Sequence, residues 1–308
     1  MHRLEHRFSA FYRQLAKNRL LFLIALAILA WYAVFRYIPY YWNLIAFKDY
    51  QYALGFAGSP WVGFKNFQNL FKDPLFLRVL RNTLVISFQK ILIGFPFPIL
   101  LAVFLNEVFS KLYQKSIQTV IFIPFFISWV IYASIMFSIL SPSVGMLNVA
   151  LSKLGIQPIY FLASEKWFQP VLVASEITKN SGYFTVIYMA ALAGVDVEIF
   201  EAAICDGANL FQRIRHITLP GIASVIAILF ILRLGQVLDV GFEQVYILYN
   251  PMVYDVGDVI ETFTYRQGIL GGRFAYTTAL GLFKSAIGFA LVLGSNWALK
   301  KSTEYGLW

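Results

Sequence analysis

The feature that most limits this chain is a set of six apolar stretches separated by polar breaks, at 20–38, 84–106, 118–140, 170–193, 221–247 and 276–298. A helix of about 20 mostly apolar residues crosses the hydrocarbon layer of a bilayer. In lipid the backbone must satisfy its own polar groups, which a helix does. Composition agrees: 59% of the 308 residues are hydrophobic and 13% are charged, where a soluble domain carries about 25% charged residues. A water-soluble globular domain is excluded, and so is a disordered chain. The pattern specifies an all-α membrane protein with six spans. The first stretch, LLFLIALAILAWYAVF, is too long for a signal-peptide core and no small-residue cleavage site follows it. It reads as an uncleaved anchor.

Residues 1–19 hold Arg3, Arg7, Arg13, Lys17 and Arg19 against one acid, Glu5, which favours a cytoplasmic N-terminus. Six crossings return the C-terminus, with Lys300 and Lys301, to the same side. The outer segment 39–83 also holds five basic residues, so the orientation rests on the N-terminal flank. The expected organisation is a cytoplasmic segment at 1–19, a membrane domain at 20–298 and a cytoplasmic tail at 299–308. The net charge of +9 fits loops against anionic lipid headgroups better than nucleic acid. Segment 39–83, with its Gly, Pro and aromatic residues, is expected to fold as an outer cap with a short interfacial helix near 64–72. Segment 141–169 is a second outer excursion, and 194–220 is the longest inner loop. No internal repeat is evident, which argues against an inverted-repeat secondary transporter.

Ionisable residues inside a span cost about 2.5 kcal/mol or more at the bilayer centre. Here they are Lys90, Glu176, Lys179, Arg233, Asp239, Glu243 and Lys284. They either line a substrate path or fasten helices to one another. With a straight fifth span starting at 221, Arg233 would lie about 18 Å deep, at 1.5 Å per residue. Asp239 and Glu243 would follow towards the outer face, four apart on one helical stripe. Lys90, Glu176, Arg233, Asp239 and Glu243 are therefore the candidates for a translocation path. Tyr37, Tyr40, Tyr41, Trp42 and Trp297 near span ends read first as interface belts. Aromatic faces would equally suit a saccharide path, and composition does not separate the two. Pro96, Pro98 and Pro124 fall within spans and should bend them.

No phosphate-cradling G-x-x-x-x-G-K-[ST] loop occurs, nor H-E-x-x-H or G-x-S-x-G. The one cysteine, Cys205, excludes a cysteine-cluster metal site, and the histidines are His2, His6 and His216. No catalytic constellation appears, so no catalytic, cofactor-binding or metal residues are expected.

The inner loop reads GVDVEIFEAAICDGANLFQRIRHITLP. Asp196 can cap a first helix with Val197, Phe200, Ala203 and Ile204 on one stripe. Gly207 can take a positive φ and end it. A second amphipathic helix follows, with Leu210, Ile214 and Ile217 on one side and Arg213 and Arg215 on another, and Pro220 marks the start of the fifth span. The acids Asp196, Glu198, Glu201 and Asp206 suit a protein partner better than an anionic leaflet.

At this point the sequence resembles a known family. Glu201-Ala202-Ala203, three residues, Gly207, nine residues, Ile217, one residue, then Leu219-Pro220 is similar to the E-A-A-x3-G-x9-I-x-L-P loop of permease subunits of binding-protein-dependent ABC importers. The segments NLIAFKDY through SPWVGFKNFQNLF (43–71), RNTLVIS, FPFPILLAVFLNEV, FIPFFISWVI and GFEQVYILYNP resemble the carbohydrate-uptake branch. Within it they resemble the first permease of importers for complex oligosaccharides or polysaccharide fragments. Tyr40-Tyr41-Trp42 departs from a smaller, Gly-containing stretch in relatives.

The resemblance implies a type I ABC importer transmembrane domain with a cytoplasmic coupling helix, in a bacterial inner membrane. Glu201, Ala202, Ala203, Asp206, Gly207, Ile217, Leu219 and Pro220 would form the loop that docks on the ATPase. It implies two cytoplasmic ATPase subunits that bind the ATP and Mg, a second, related permease, and an extracytoplasmic solute-binding protein docking on segments 39–83 and 249–275. The chain would itself bind no cofactor. The alternatives are an importer permease for a peptide, amino acid or anion, and a membrane-embedded enzyme or scaffold.

Overall fold

The computed structural model describes residues 17–108 and 110–303. Most of the expected basic N-terminal segment and the end of the tail lie outside the described residues. Among the described residues the structure is helical, and its extended pairing is one antiparallel bridge, Lys48 to Trp61.

The first of two compact units takes in residues up to 68 together with 274–282. Helix α1 (Arg19–Tyr32) runs on through a π turn, Ala33–Tyr37, and a 3₁₀ stretch, Ile38–Phe47. The first crossing is therefore longer than the expected 20–38. No residue of α1 is buried, as a wholly apolar helix in contact with lipid allows. Beyond it the outer cap closes on Lys48, which is 5% exposed. Its ammonium donates to the carbonyls of Phe56 (2.6 Å) and Ser59 (3.2 Å) and lies over the Phe56 ring. Asn66 donates to the carbonyls of Ala46 and Lys48. The expected interfacial helix is α2 (Lys65–Lys72).

The second unit is 69–273 with 283 onwards. Helix α3 (Pro74–Gln89) starts ten residues before the expected 84, because Asp73 accepts the Leu75 amide as a cap and Pro74 occupies the first turn. A π turn, Lys90–Gly94, leads into α4 (Pro96–Asn106). The π turns at 33–37, 90–94 and 214–218 each end two residues before a proline: Pro39, Pro96 and Pro220. Proline lacks a donor and its ring crowds the carbonyl four residues back. A wider turn relieves that crowding, and here the Phe95 amide bonds the Lys90 carbonyl five residues back, 3.1 Å.

The expected third span, 118–140, is not one rod. Helices α5 (Lys111–Phe126) and α6 (Trp129–Leu140) meet at 105°. Ser128 caps α6 by accepting from the Ile131 amide, 3.4 Å. Lys179 donates to the Pro124 and Phe125 carbonyls freed at the end of α5, at 3.2 and 3.1 Å. After α7 (Met146–Lys153), α8 (Glu165–Leu192) supplies the fourth span. It crosses α5 backbone to backbone at Gly182, where a Cβ would strike the Ile121 carbonyl.

The inner loop forms α9 (Val197–Cys205) and α10 (Leu210–Arg213), the latter prolonged by a π turn and a short helix to Gly221. Helix α11 (Ala223–Gly235) then turns away from Leu210–Gly221 by 62°. The straight fifth span expected over 221–247 is corrected: the helix ends at Gly235, residues 236–241 are non-helical, and α12 is Phe242–Leu248. Gly241, at φ 103°, makes the reversal, a conformation that costs glycine little. Asp239 and Glu243 consequently do not share a helical stripe.

Segment 249–275, expected as an outer surface, is partly core. Val253, Val259, Ile260 and Phe263 are buried. Thr83 accepts the Ile260 amide, and Asn82 donates to the Asp255 and Asp258 carbonyls. Helix α13 (Ile260–Thr264) lies in this segment, and α14 (Phe274–Thr303) is the last span. Among the described residues three continuous helices are long and apolar enough to cross a membrane, and three bent pairs bring the possible crossings to six.

Candidate coupling loop and intramembrane charge cluster

The inner loop is built by its own sequence. The Asp196 carboxylate accepts from the Glu198 amide, 2.9 Å, and starts α9. At its end the Ala208 amide donates to the Ala203 carbonyl, 2.9 Å, and the Gly207 amide to that of Ile204, 3.0 Å. This double closure needs a left-handed residue, and Gly207 has φ 78°. Asn209 and Gln212 then form a reciprocal capping box that starts α10, a signal in the sequence that the reading above passed over.

No residue of α9 is buried. Val197, Ile199 and Ile204 are more than half exposed, and Phe211 on α10 is 69% exposed. Glu201, Ala202 and Asp206 are exposed beside them, while Ala203, Ile217 and Leu219 are half-buried and Pro220 is exposed. The loop thus presents a mixed apolar and acidic face. It is tied to the end of the second crossing by Arg213, which donates to Glu107 at 3.4 Å. The Arg213 Nε is buried without a partner.

The intramembrane candidates separate into two groups. Glu176 on α8 takes Lys90 at one carboxylate oxygen and Arg233, 3.0 Å away, at the other. Lys90 is 2% exposed. It also donates to the Val240 carbonyl and the Gln244 side-chain oxygen, both at 2.6 Å. Gln244 donates in turn to the Leu172 carbonyl and the Ser175 hydroxyl. These three charged residues line a cavity of about 70 Å³, open to one side, with Phe95, Phe184 and Tyr188.

The second group is Lys284, which bridges Asp239 (2.8 Å) and Glu261 (3.3 Å). Glu261 also accepts the Val240 amide, 3.0 Å, so the two groups share the non-helical stretch after α11. Glu243 is exposed on α12 and joins neither group. Glu261 and Gln244 were missed. The first falls in a segment taken for an outer loop, and the second is uncharged, although an amide in the apolar run FEQVYIL was its available signal. In segment 249–275, burial beside Tyr254 pushes the Tyr249 hydroxyl up to about 12.

Residues 94–300 match the family described as "Binding-protein-dependent transport system inner membrane component". The chain belongs to this family. It is 44% identical to Protein LplB of Bacillus subtilis (strain 168) over 293 residues, covering 95% of this chain and 92% of that protein. It is 42% identical to the polygalacturonan/rhamnogalacturonan transport system permease protein YteP of the same organism, covering 96% and 92%. The fold matches the crystal structure of a bacterial alginate ABC transporter in complex with an alginate pentasaccharide-bound periplasmic protein. There the TM-score is 0.89 and the identity 38%, over 96% of this chain and 99% of that one. The importer-permease fold expected from the inner loop is thereby established, and the chain is an inner-membrane component of a transport system.

Proposed function

We infer that this chain is the membrane-spanning permease of an ABC importer for oligosaccharides or polysaccharide fragments. YteP is named for polygalacturonan and the solved relative for alginate, both polysaccharides, and this favours a saccharide over a peptide, amino acid or other anion. The observation that carries the coupling role is α9: an exposed, capped helix between two spans, with apolar and acidic side chains uncovered side by side. Glu201 to Gly207 docks on a separate ATPase, which binds the ATP and Mg. The chain then does no chemistry of its own, and it acts with a second permease and an extracytoplasmic binding protein. The organisation is a cytoplasmic start at 1–19, a membrane domain at 20–298 and a cytoplasmic tail at 299–308. Alternating access follows: ATP-driven closure of the ATPases pushes α9, and Arg213 with Glu107 passes the movement to the second crossing.

Cys205, the one cysteine of the chain and exposed, tests this directly. In inside-out vesicles a membrane-impermeant maleimide should label it, and bound ATPase subunits should protect it. Gly207→Pro, which cannot adopt φ 78°, should abolish the protection while leaving membrane insertion intact. Labelling from the outer side, or unchanged protection and ATPase co-purification in Gly207→Pro, would sink the coupling role.

A further inference from the structure

The cavity beside Arg233 bears on which saccharides pass, and the inference rests on the saccharide reading above. An ammonium has three donors. Lys90 directs its own at Glu176, the Val240 carbonyl and the Gln244 side-chain oxygen, so it has none left to offer. Glu176 divides its two oxygens between Lys90 and Arg233. Two cations therefore face one carboxylate. Lys90 has a side chain 1% exposed, while that of Arg233 is 26% exposed and lines the cavity.

A guanidinium carries five N–H donors in a planar fork, and among the described residues Arg233 is ion-paired with Glu176 only. The surplus positive charge of the cavity thus sits on Arg233. The acids Asp239 and Glu261 are engaged with Lys284. The six residues together balance, three acids to three bases, while the cavity itself does not. The compensating negative charge lies on Asp239 and Glu261, outside the cavity lining, and the remaining donors of Arg233 are left for water or a ligand. The geometry best suited to an open fork is a second carboxylate, held by two parallel hydrogen bonds. The rings of Phe95 and Phe184 border the same cavity and offer apolar faces to sugar C–H groups.

We propose that Arg233 is a specificity residue that binds the carboxylate of an acidic saccharide in this cavity, sharing or exchanging its contact with Glu176, while Lys90 stays a fixed strut. The test uses the assembled importer in nanodiscs, without its binding protein, and two probes: trigalacturonate and its neutral methyl ester. The wild type should bind the acid at least about tenfold more tightly than the ester, about 1.4 kcal/mol. Arg233→Gln should erase that difference, and Glu176→Gln, which frees the fork, should enlarge it. Both variants are scored by the ratio of acid to ester affinity in complexes that retain the ATPase subunits, a ratio that a general loss of stability does not change, and either one alone decides the matter.

Equal binding of acid and ester by the wild type, or a preference that survives Arg233→Gln, overturns the proposal and leaves the saccharide reading standing. If the wild type binds neither sugar, the proposal falls. If it then binds a peptide or amino acid instead, the saccharide reading falls with it.

Discussion

The inner loop and the charge cluster around Glu176 are held together in opposite ways. In the loop the organising hydrogen bonds span two or three residues, Asp196 to Glu198 and Asn209 to Gln212. In the cluster they span 57 residues from Glu176 to Arg233, and 150 and 154 from Lys90 to Val240 and Gln244. A structure closed by its neighbours keeps its shape while exposed, so it can serve as a handle for another protein. A structure closed by distant partners exists only when the helices are already packed, so its geometry changes when they move. In the coupling role proposed above, the loop is the part that receives force and the cluster the part that responds to it.

The largest effect expected is from Lys90→Met. It strands the Val240 carbonyl and the Gln244 oxygen and leaves Glu176 with Arg233 alone. Glu176 keeps Arg233, so the cost is that of two buried acceptors left without a donor, about 1–3 kcal/mol each, and the purified complex should show a clearly lower melting temperature. A melting temperature equal to wild type would mean that the cluster is not a tertiary fastening, and the contrast with the loop would disappear.

The tie from the loop to the end of the second crossing comes next. Glu107 and Arg213 have side chains about one-fifth exposed. Solvent screening holds the pair near about 1 kcal/mol, so Glu107→Gln should leave stability nearly unchanged. Transport per ATP hydrolysed should nevertheless fall, and combining it with Arg213→Gln should add no further loss. Additive losses in that double-mutant cycle would show that the two residues do not act as one link.

The smallest effect is local. Asn209→Ala removes a helix cap worth about 1 kcal/mol. Amides of Gln212 and Arg213 should exchange with solvent about fivefold faster, with the Glu176 cluster untouched. A change spreading to α8 or α11 would contradict the independence of the loop.

Much of the loop was legible because its signals are adjacent in the chain. Asp196 starts α9 and Gly207 ends it as expected, and only the Asn209–Gln212 box was passed over. The cluster was legible as a list of candidates but not as a set of partners. Lys90, Glu176 and Arg233 do meet, whereas Glu243 stands apart and Glu261 enters from a segment read as outer surface. Lys179, an intramembrane cation by sequence, proves to serve the carbonyls at the break between α5 and α6.

Hydropathy by itself determined that the chain lives in a membrane as packed helices, since lipid offers no partner to an unpaired peptide group. Prolines and cap residues marked local starts and widened turns for the same reason, acting within a turn or two of themselves. Only the tertiary structure decided where the third and fifth crossings break and which charges pair. A helix interrupts inside the bilayer when side chains from other helices, such as Lys179 and Lys90, arrive to satisfy the carbonyls it exposes. Those arrivals come from residues tens of positions away, and no local pattern in the interrupted helix announces them.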